Sequence, residues 1–191
     1  MNEYLKTQIR EWVESILIAI VIALFIREFV VQAFKIPSGS MIPTFQIGDR
    51  IFVNKFIYGA RIPFTDMRLP AVRQPHRGDI VVFKSPETPK KDFVKRLIGL
   101  EGEKVLIKEG RIYVNGEAVD DPAIRGFYYY NRGDYGKEGE EIVVPKDSYF
   151  VLGDNSANSR DSRYWGFFSK KSLIGKAILV YWPPTRIRPI K

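Results

Sequence analysis

Hydrophobic and polar positions divide the chain into two unlike parts. Residues 1–14 are polar and mixed in charge, and the stretch from Ile16 to Ile26 then runs without a charge. Arg27 and Glu28 interrupt it before Phe29-Val-Val-Gln-Ala-Phe34 resumes. The run is apolar on every face, which suits a membrane anchor over 15–34 better than a helix buried in a core. The uninterrupted part is shorter than the roughly 20 residues of a spanning helix; Trp12 and Val13 at one end and a snorkelling Arg27 at the other would lengthen it. Glu3, Glu11 and Glu14, with no clear small-residue site after Ile26, argue against a cleaved leader. The chain is expected to become extended from about Phe29.

From Arg50 onward the period changes. Arg50–Phe56, Asp79–Lys84, Asp92–Leu97 and Val105–Ile107 are short runs rich in Val, Ile and Phe. Arg111–Val114 leads through Asn115-Gly116, a two-residue hairpin signal, into Glu117–Val119. Glu141–Val144, Tyr149–Leu152 and Ala177–Trp182 complete the set. Short strands between Gly, Pro and Asp turns, with no long 3.6-residue period, predict an all-β sandwich or barrel over 35–191. Residues 120–140, with Phe127-Tyr-Tyr-Tyr130, read as an excursion from the sheet.

Composition narrows the chemistry. There is no cysteine and a single histidine, His76, which excludes disulfides, a thiol nucleophile and a Cys- or His-built zinc site. The formal charge of +8 would suit an anionic membrane or nucleic acid, but no basic run interleaved with stacking aromatics forms a nucleic-acid module. Lys6 and Arg10 on one side of the apolar run against Arg27, Lys35 and Arg50 on the other leave orientation undecided. The positive-inside tendency would, if anything, hold the large domain in the cytoplasm.

Candidate chemistry lies in three segments. In Ile36-Pro-Ser-Gly-Ser-Met-Ile-Pro-Thr44, Pro37 and Gly39 constrain the turn that presents Ser40. A serine hydroxyl needs a base within hydrogen-bond reach, and with one histidine in the chain the search turns to lysine. Lys95, in Asp92-Phe-Val-Lys-Arg-Leu-Ile-Gly99, shares a strand face with Phe93 and Leu97, where desolvation would lower its pKa, while Arg96 points away. Residues 153–166, Gly-Asp-Asn-Ser-Ala-Asn-Ser-Arg-Asp-Ser-Arg-Tyr-Trp-Gly, are dense in hydrogen-bonding groups. If extended, they put Ser159, Asp161 and Arg163 on one side. Their two arginines and their spacing do not suit calcium.

These blocks, in this order behind an apolar segment, resemble type I signal peptidases, the membrane-anchored Ser/Lys-dyad serine proteases of bacteria. Phe34–Thr44 resembles the nucleophile block, Arg77–Phe83 the following strand, Phe93–Leu100 the lysine block and Gly153–Gly166 the last block. Ser156 and Ala157 stand where proteobacterial members often carry Arg-Asp. The resemblance implies a mostly β, repressor-protease-like catalytic domain behind one transmembrane helix, and removal of signal peptides from secreted preproteins after a small residue. Ser40 would be the nucleophile and Lys95 the general base. The Ser38 hydroxyl and the Ser40 N–H would hold the oxyanion, and Ser159 would hydrogen-bond Lys95. Asp154, Asp161 and Arg163 would brace the loop, and Phe34, Ile36, Met41 and Phe93 would line the substrate pockets. No cofactor or metal is implied. Partners would be preproteins, the lipid bilayer and the translocation machinery, with no nucleic acid. The place would be the bacterial cytoplasmic membrane, residues 1–14 inside and the catalytic domain outside. The alternatives are an inactive membrane-tethered binding module on the same fold and a self-cleaving repressor-type Ser/Lys protease.

Overall fold

The computed structural model describes residues 3–62, 65 and 67–190, with side chains from Lys6 onward. Residues 1, 2, 63, 64, 66 and 191, parts of the expected 1–14 and 35–191 segments, lie outside it. The chain begins with helix α1 (Glu3–Phe25), followed by a π-helical turn over Ile26–Val30. Strands β1 (Val31–Lys35), β2 (Arg50–Asn54), β3 (Ile80–Lys84) and β4 (Asp92–Gly99) come next. Then follow β5 (Lys104–Lys108), β6 (Arg111–Val114), β7 (Glu117–Ala118) and the one-turn helix α2 (Pro122–Arg125). The last elements are β8 (Ile142–Val143), β9 (Ser148–Leu152), helix α3 (Ser162–Trp165), β10 (Phe168–Ser169), β11 (Leu173–Trp182) and β12 (Arg188–Pro189).

Strands order as β1-β2-β11-β3-β4-β9-β10 in one sheet, with β12 on β11, and as β7-β6-β5-β8 in a second. The mostly β expectation holds. The central strand β3 is apolar at each of its first four positions because both its faces are covered. Ile80 and Val82 join a core with Ile51, Val53, Ala177 and Val180. Val81 and Phe83 join one with Leu97, Val151 and Phe168 on the opposite face. A third core, including Ile98, Val105, Ile112, Ile124 and Phe150, brings in residues of both sheets. The expected Asn115-Gly116 hairpin forms, both residues at positive φ (51° and 86°), as a tight turn matched to strand twist requires.

The N-terminal segment departs from expectation. The chain becomes extended at Val31, not Phe29, and Val31–Phe34, expected to end the anchor, pair with Asn54–Ile51 as an edge strand. Arg27 and Glu28 mark where the all-apolar face ends, and β-branched Val30 and Val31 favour the change to a strand. Glu28 lies 3.7 Å from the ammonium of the buried Lys55 and the Lys55 backbone N–H donates to Val30 O, fixing the turn to the domain. Helix α1 stands clear of the sheets, with every side chain from Lys6 to Phe25 exposed, including Trp12, Ile16, Leu17, Val21 and Phe25. Among the described residues no helix is long and apolar enough to cross a membrane.

Candidate active site

The serine segment leaves β1 through Pro37 and closes into one 3-10 turn, Gly39–Met41. Met41 and Ile36 are buried in the first core and anchor the turn from below. A side chain at Gly39 would meet only the terminal methyl of Ile42, at 2.9 Å, which a change of rotamer can move aside. From the other side Asn155 holds the turn twice: its N–H donates to Ser40 O at 3.1 Å and its Nδ2 to Gly39 O at 2.9 Å. Gly153 must lack a Cβ, which would lie 2.5 Å from Ser40 O and 2.2 Å from Ser159 Oγ.

Strand β4 brings the lysine. It pairs with β3 from Asp92 to Arg96, placing Lys95 opposite Val81, and Lys95 is 5 % exposed. Its Nζ donates to Ser40 Oγ at 2.7 Å and to Val94 O at 3.2 Å. Burial lowers its pKa to about 8; the carboxylates of Asp161 and Asp154 oppose that fall and Arg163 reinforces it. The Phe93 ring centroid lies 5.7 Å from Nζ, and Phe93 and Leu97 share a core on this face, as the strand alternation predicts. An amine of this kind, in contact with a hydroxyl, can take up that hydroxyl's proton near neutral pH.

Two buried ion pairs set the surrounding scaffold. Arg163 and Asp161 are wholly buried, and Nε and Nη2 of the guanidinium each donate to the carboxylate at 2.8 Å. The remaining Arg163 donors reach Tyr130 O, Ser156 Oγ, Ser156 O and Ser159 O, so one guanidinium ties the 120–140 excursion to the loop carrying Ser159. Ser156 thus braces the loop by another route. Asp154 pairs with Arg96 at 2.7 and 2.6 Å, and the Thr44 hydroxyl donates to the same carboxylate. Arg96 also donates to Gly78 O. Strand alternation does turn Arg96 away from Lys95, but into this buried pair.

The remaining expected residues fall into place unevenly. Ser38 Oγ stands 3.5 Å from Ser40 Oγ, at the mouth of the same turn. Ser159 is buried, yet its hydroxyl has no hydrogen-bond partner among the described residues, so the expected bond to Lys95 is not formed in this structure. Phe34, Ile36, Met41 and Phe93 all line a cleft of about 460 Å³ that also holds Ser38, Ser40 and Lys95. Val94 lines it too and packs with Phe34 against the Ile36–Met41 core. Strand alternation alone does not pick out Val94, which lies on the face opposite Phe93; its packing against the Ile36–Met41 core brings it to the cleft. His76 lies elsewhere, in a cavity with Arg73 and Lys176, where its backbone N–H donates to Asp79 Oδ2. Among the described residues no group of acidic or histidine side chains could hold a metal ion.

A family model described as signal peptidase, peptidase S26, matches residues 9–182. Signal peptidase I of Pseudomonas aeruginosa is 35% identical over 93% of this chain and 74% of its own. A probable signal peptidase I-2 of Synechocystis is 39% identical over 92% of this chain and 76% of its own. Signal peptidase I P of Bacillus subtilis subsp. natto is 37% identical over 97% and 96%. A crystal structure of a signal peptidase I from Enterococcus faecalis, 32% identical, overlays 55% of this chain and 97% of its own with a TM-score of 0.44. The matched span contains the Ser40 turn, the Lys95 strand and the 153–163 loop together, and on that match the chain belongs to the signal peptidase family, peptidase S26.

Proposed function

We propose that this chain is a membrane-bound endopeptidase that removes signal peptides from secreted preproteins, with Ser40 as nucleophile and Lys95 as general base. The observation that carries the reading is the 2.7 Å contact between Ser40 Oγ and a buried amine whose pKa is lowered to about 8. With Lys95 neutral, the Ser40 hydroxyl proton passes to Nζ as Oγ bonds to the scissile carbonyl carbon. The Lys95 ammonium then protonates the leaving amine as the C–N bond breaks, leaving an acyl-serine. Lys95, neutral again, takes a proton from water as it attacks the ester, and returns it to Ser40 Oγ as the acid product leaves. The Ser38 hydroxyl and the Ser40 N–H are the proposed donors to the developing oxyanion. Asp154, Asp161 and Arg163 brace the loop that carries Ser159, and the proposed role of Ser159 is to orient Lys95 through its unpartnered hydroxyl.

The substrate would bind as an added strand. Among the described residues strand β1 pairs only with β2, and Asp92–Lys95 pair only with β3, since β9 joins β4 from Arg96 onward. Both walls therefore offer free backbone groups to a peptide. Alternate side chains of such a peptide face one wall, where Phe34, Ile36, Met41 and Val94 leave room for small residues only. The exposed apolar helix α1 is the proposed anchor. Its stretch from Trp12 to Ile26 spans only about 22 Å at 1.5 Å per residue, short of a ~30 Å hydrocarbon core, so local thinning and snorkelling of Arg10 and Arg27 would complete the crossing. The proposed topology keeps residues 1–14 in the cytoplasm and the β domain outside, beside the translocation machinery. Incubating the purified chain with a signal-bearing preprotein and sequencing the new N-terminus tests the activity. A single cut after a small residue supports it, and an intact preprotein refutes it. Cysteine-labelling scans should find positions 17–24 shielded by lipid; labelling there as fast as at position 90 would refute the anchor.

A further inference from the structure

The cleft that holds Ser40 has a charge pattern of its own. Lys35, Lys91, Lys95 and Arg160 line it, against one acid, Asp92. Asp92 is engaged by Lys84 at 2.7 Å. The nearby carboxylate of Glu87 is held by Nε and Nη2 of Arg160. Lys35 and Lys91 are exposed, and no ion pair engages either among the described residues. The open end of the cleft thus carries two free ammonium groups, one on each wall: Lys35 on β1 and Lys91 at the turn entering β4.

Strand alternation says which part of a bound peptide meets them. Phe34 and Ile36 turn into the first core and Lys35, between them, turns out. On the facing wall Val94 turns into the same core, and the exposed Lys91 lines the cleft just ahead of strand β4. A peptide lying between the walls as an added strand keeps the same period of two. Its two small residues face Phe34, Ile36 and Val94, so the residue between them faces outward, toward Lys35 and Lys91.

We infer that this outward position is a subsite for an acidic side chain, built from Lys35 and Lys91, and that the enzyme favours preproteins with Asp or Glu between the two small residues that precede the cut. The inference rests on the peptidase reading above. Each exposed ion pair changes affinity by about 1.5- to 5-fold, so attraction of Glu and repulsion of Lys by two ammonium groups should separate the two peptides by about tenfold in kcat/KM at low salt. The difference should fall to less than about twofold in 0.5 M salt, where screening acts within a few ångströms.

The test uses the full chain in detergent and three peptides that differ only at the intervening position: Ala-Gln-Ala, Ala-Glu-Ala and Ala-Lys-Ala before the cut. Cleavage of the Gln peptide tests the peptidase reading itself. Given that cleavage, the order Glu over Gln over Lys, carried mainly in KM and collapsing toward unity in Lys35→Gln/Lys91→Gln, is expected. Equal rates for the three peptides, the reverse order, or a preference unchanged in the double variant would overturn the subsite.

Discussion

Arg163 is the residue whose removal should do the most damage per atom. Its side chain is wholly buried against an equally buried Asp161 and makes six side-chain hydrogen bonds, counted from its two to Asp161 and one each to Tyr130 O, Ser156 Oγ, Ser156 O and Ser159 O. Arg163→Met keeps much of the volume but strands a carboxylate in the interior. Breaking one half of a buried pair costs about 3–5 kcal/mol. With a urea m-value of about 2 kcal/mol/M, the unfolding midpoint should fall by roughly 1.5–2.5 M. Fluorescence of Trp165, two residues away on α3, is a suitable probe for unfolding in detergent. Arg163→Met/Asp161→Leu should recover part of the loss, because the stranded charge is gone. The recovery is incomplete, because Asp161 also accepts the Gly153 N–H at 3.0 Å. A midpoint drop for Arg163→Met below about 0.5 M, or losses in the double variant equal to the sum of the singles, would refute the claim that a buried, coupled pair holds this loop.

Three further outcomes follow from the geometry. If the unprotonated Lys95 amine is the base, as proposed, kcat/KM should rise about tenfold per pH unit below pH 8 and level off above it, since the Lys95 pKa is lowered to about 8; a flat profile from pH 6 to 9 would contradict that assignment. The same lowering makes Lys95 a burden on stability: below pH 8 both states carry the proton and the buried charge costs about 3 kcal/mol, a cost relieved between pH 8 and the ordinary lysine value of 10.5. Lys95→Met should therefore raise the urea midpoint at pH 7 and lose that advantage by about pH 10.5, and a destabilised variant at pH 7 would count against it. Gly153→Ala should reduce kcat by about 100-fold or more, because a Cβ there displaces Ser40 and Ser159 by a sizeable fraction of an ångström, and near-native turnover would show that the loop yields freely.

What the sequence reveals and conceals follows from the range of each signal. The strands around Val81–Phe83 and Phe93–Leu97 are legible because β-branched and aromatic residues cluster there, and the serine turn because Pro37 and Gly39 frame it. Lys95 is legible as a lysine on an apolar strand face. The role of Arg96 is hidden, because alternation says only that it faces away from Lys95, and its partner Asp154 is 58 residues distant. Strand β1 is hidden because Val31–Phe34 reads equally as the tail of an apolar helix; only pairing with Ile51–Asn54 decides. The beginning of β11, at Leu173 and not Ala177, is masked by Gly175 and Lys176. Gly175 is required because a Cβ there would meet Asn54 O at 2.3 Å. The 120–140 excursion is legible as a departure from the sheet, but its tie to the site through Arg163 and Tyr130 O is a contact across 33 residues that no local pattern encodes.

The central claim is that a serine and a lysine, with no histidine, perform the cleavage. The most direct measurement is turnover of one purified preprotein by the native chain and by Ser40→Ala, Lys95→Met and His76→Ala, each shown to be folded by its urea transition. The account predicts a cut at the small-residue site by the native chain and by His76→Ala, and none by the other two. Cleavage that survives in Lys95→Met, or vanishes in His76→Ala while the fold is intact, would contradict it.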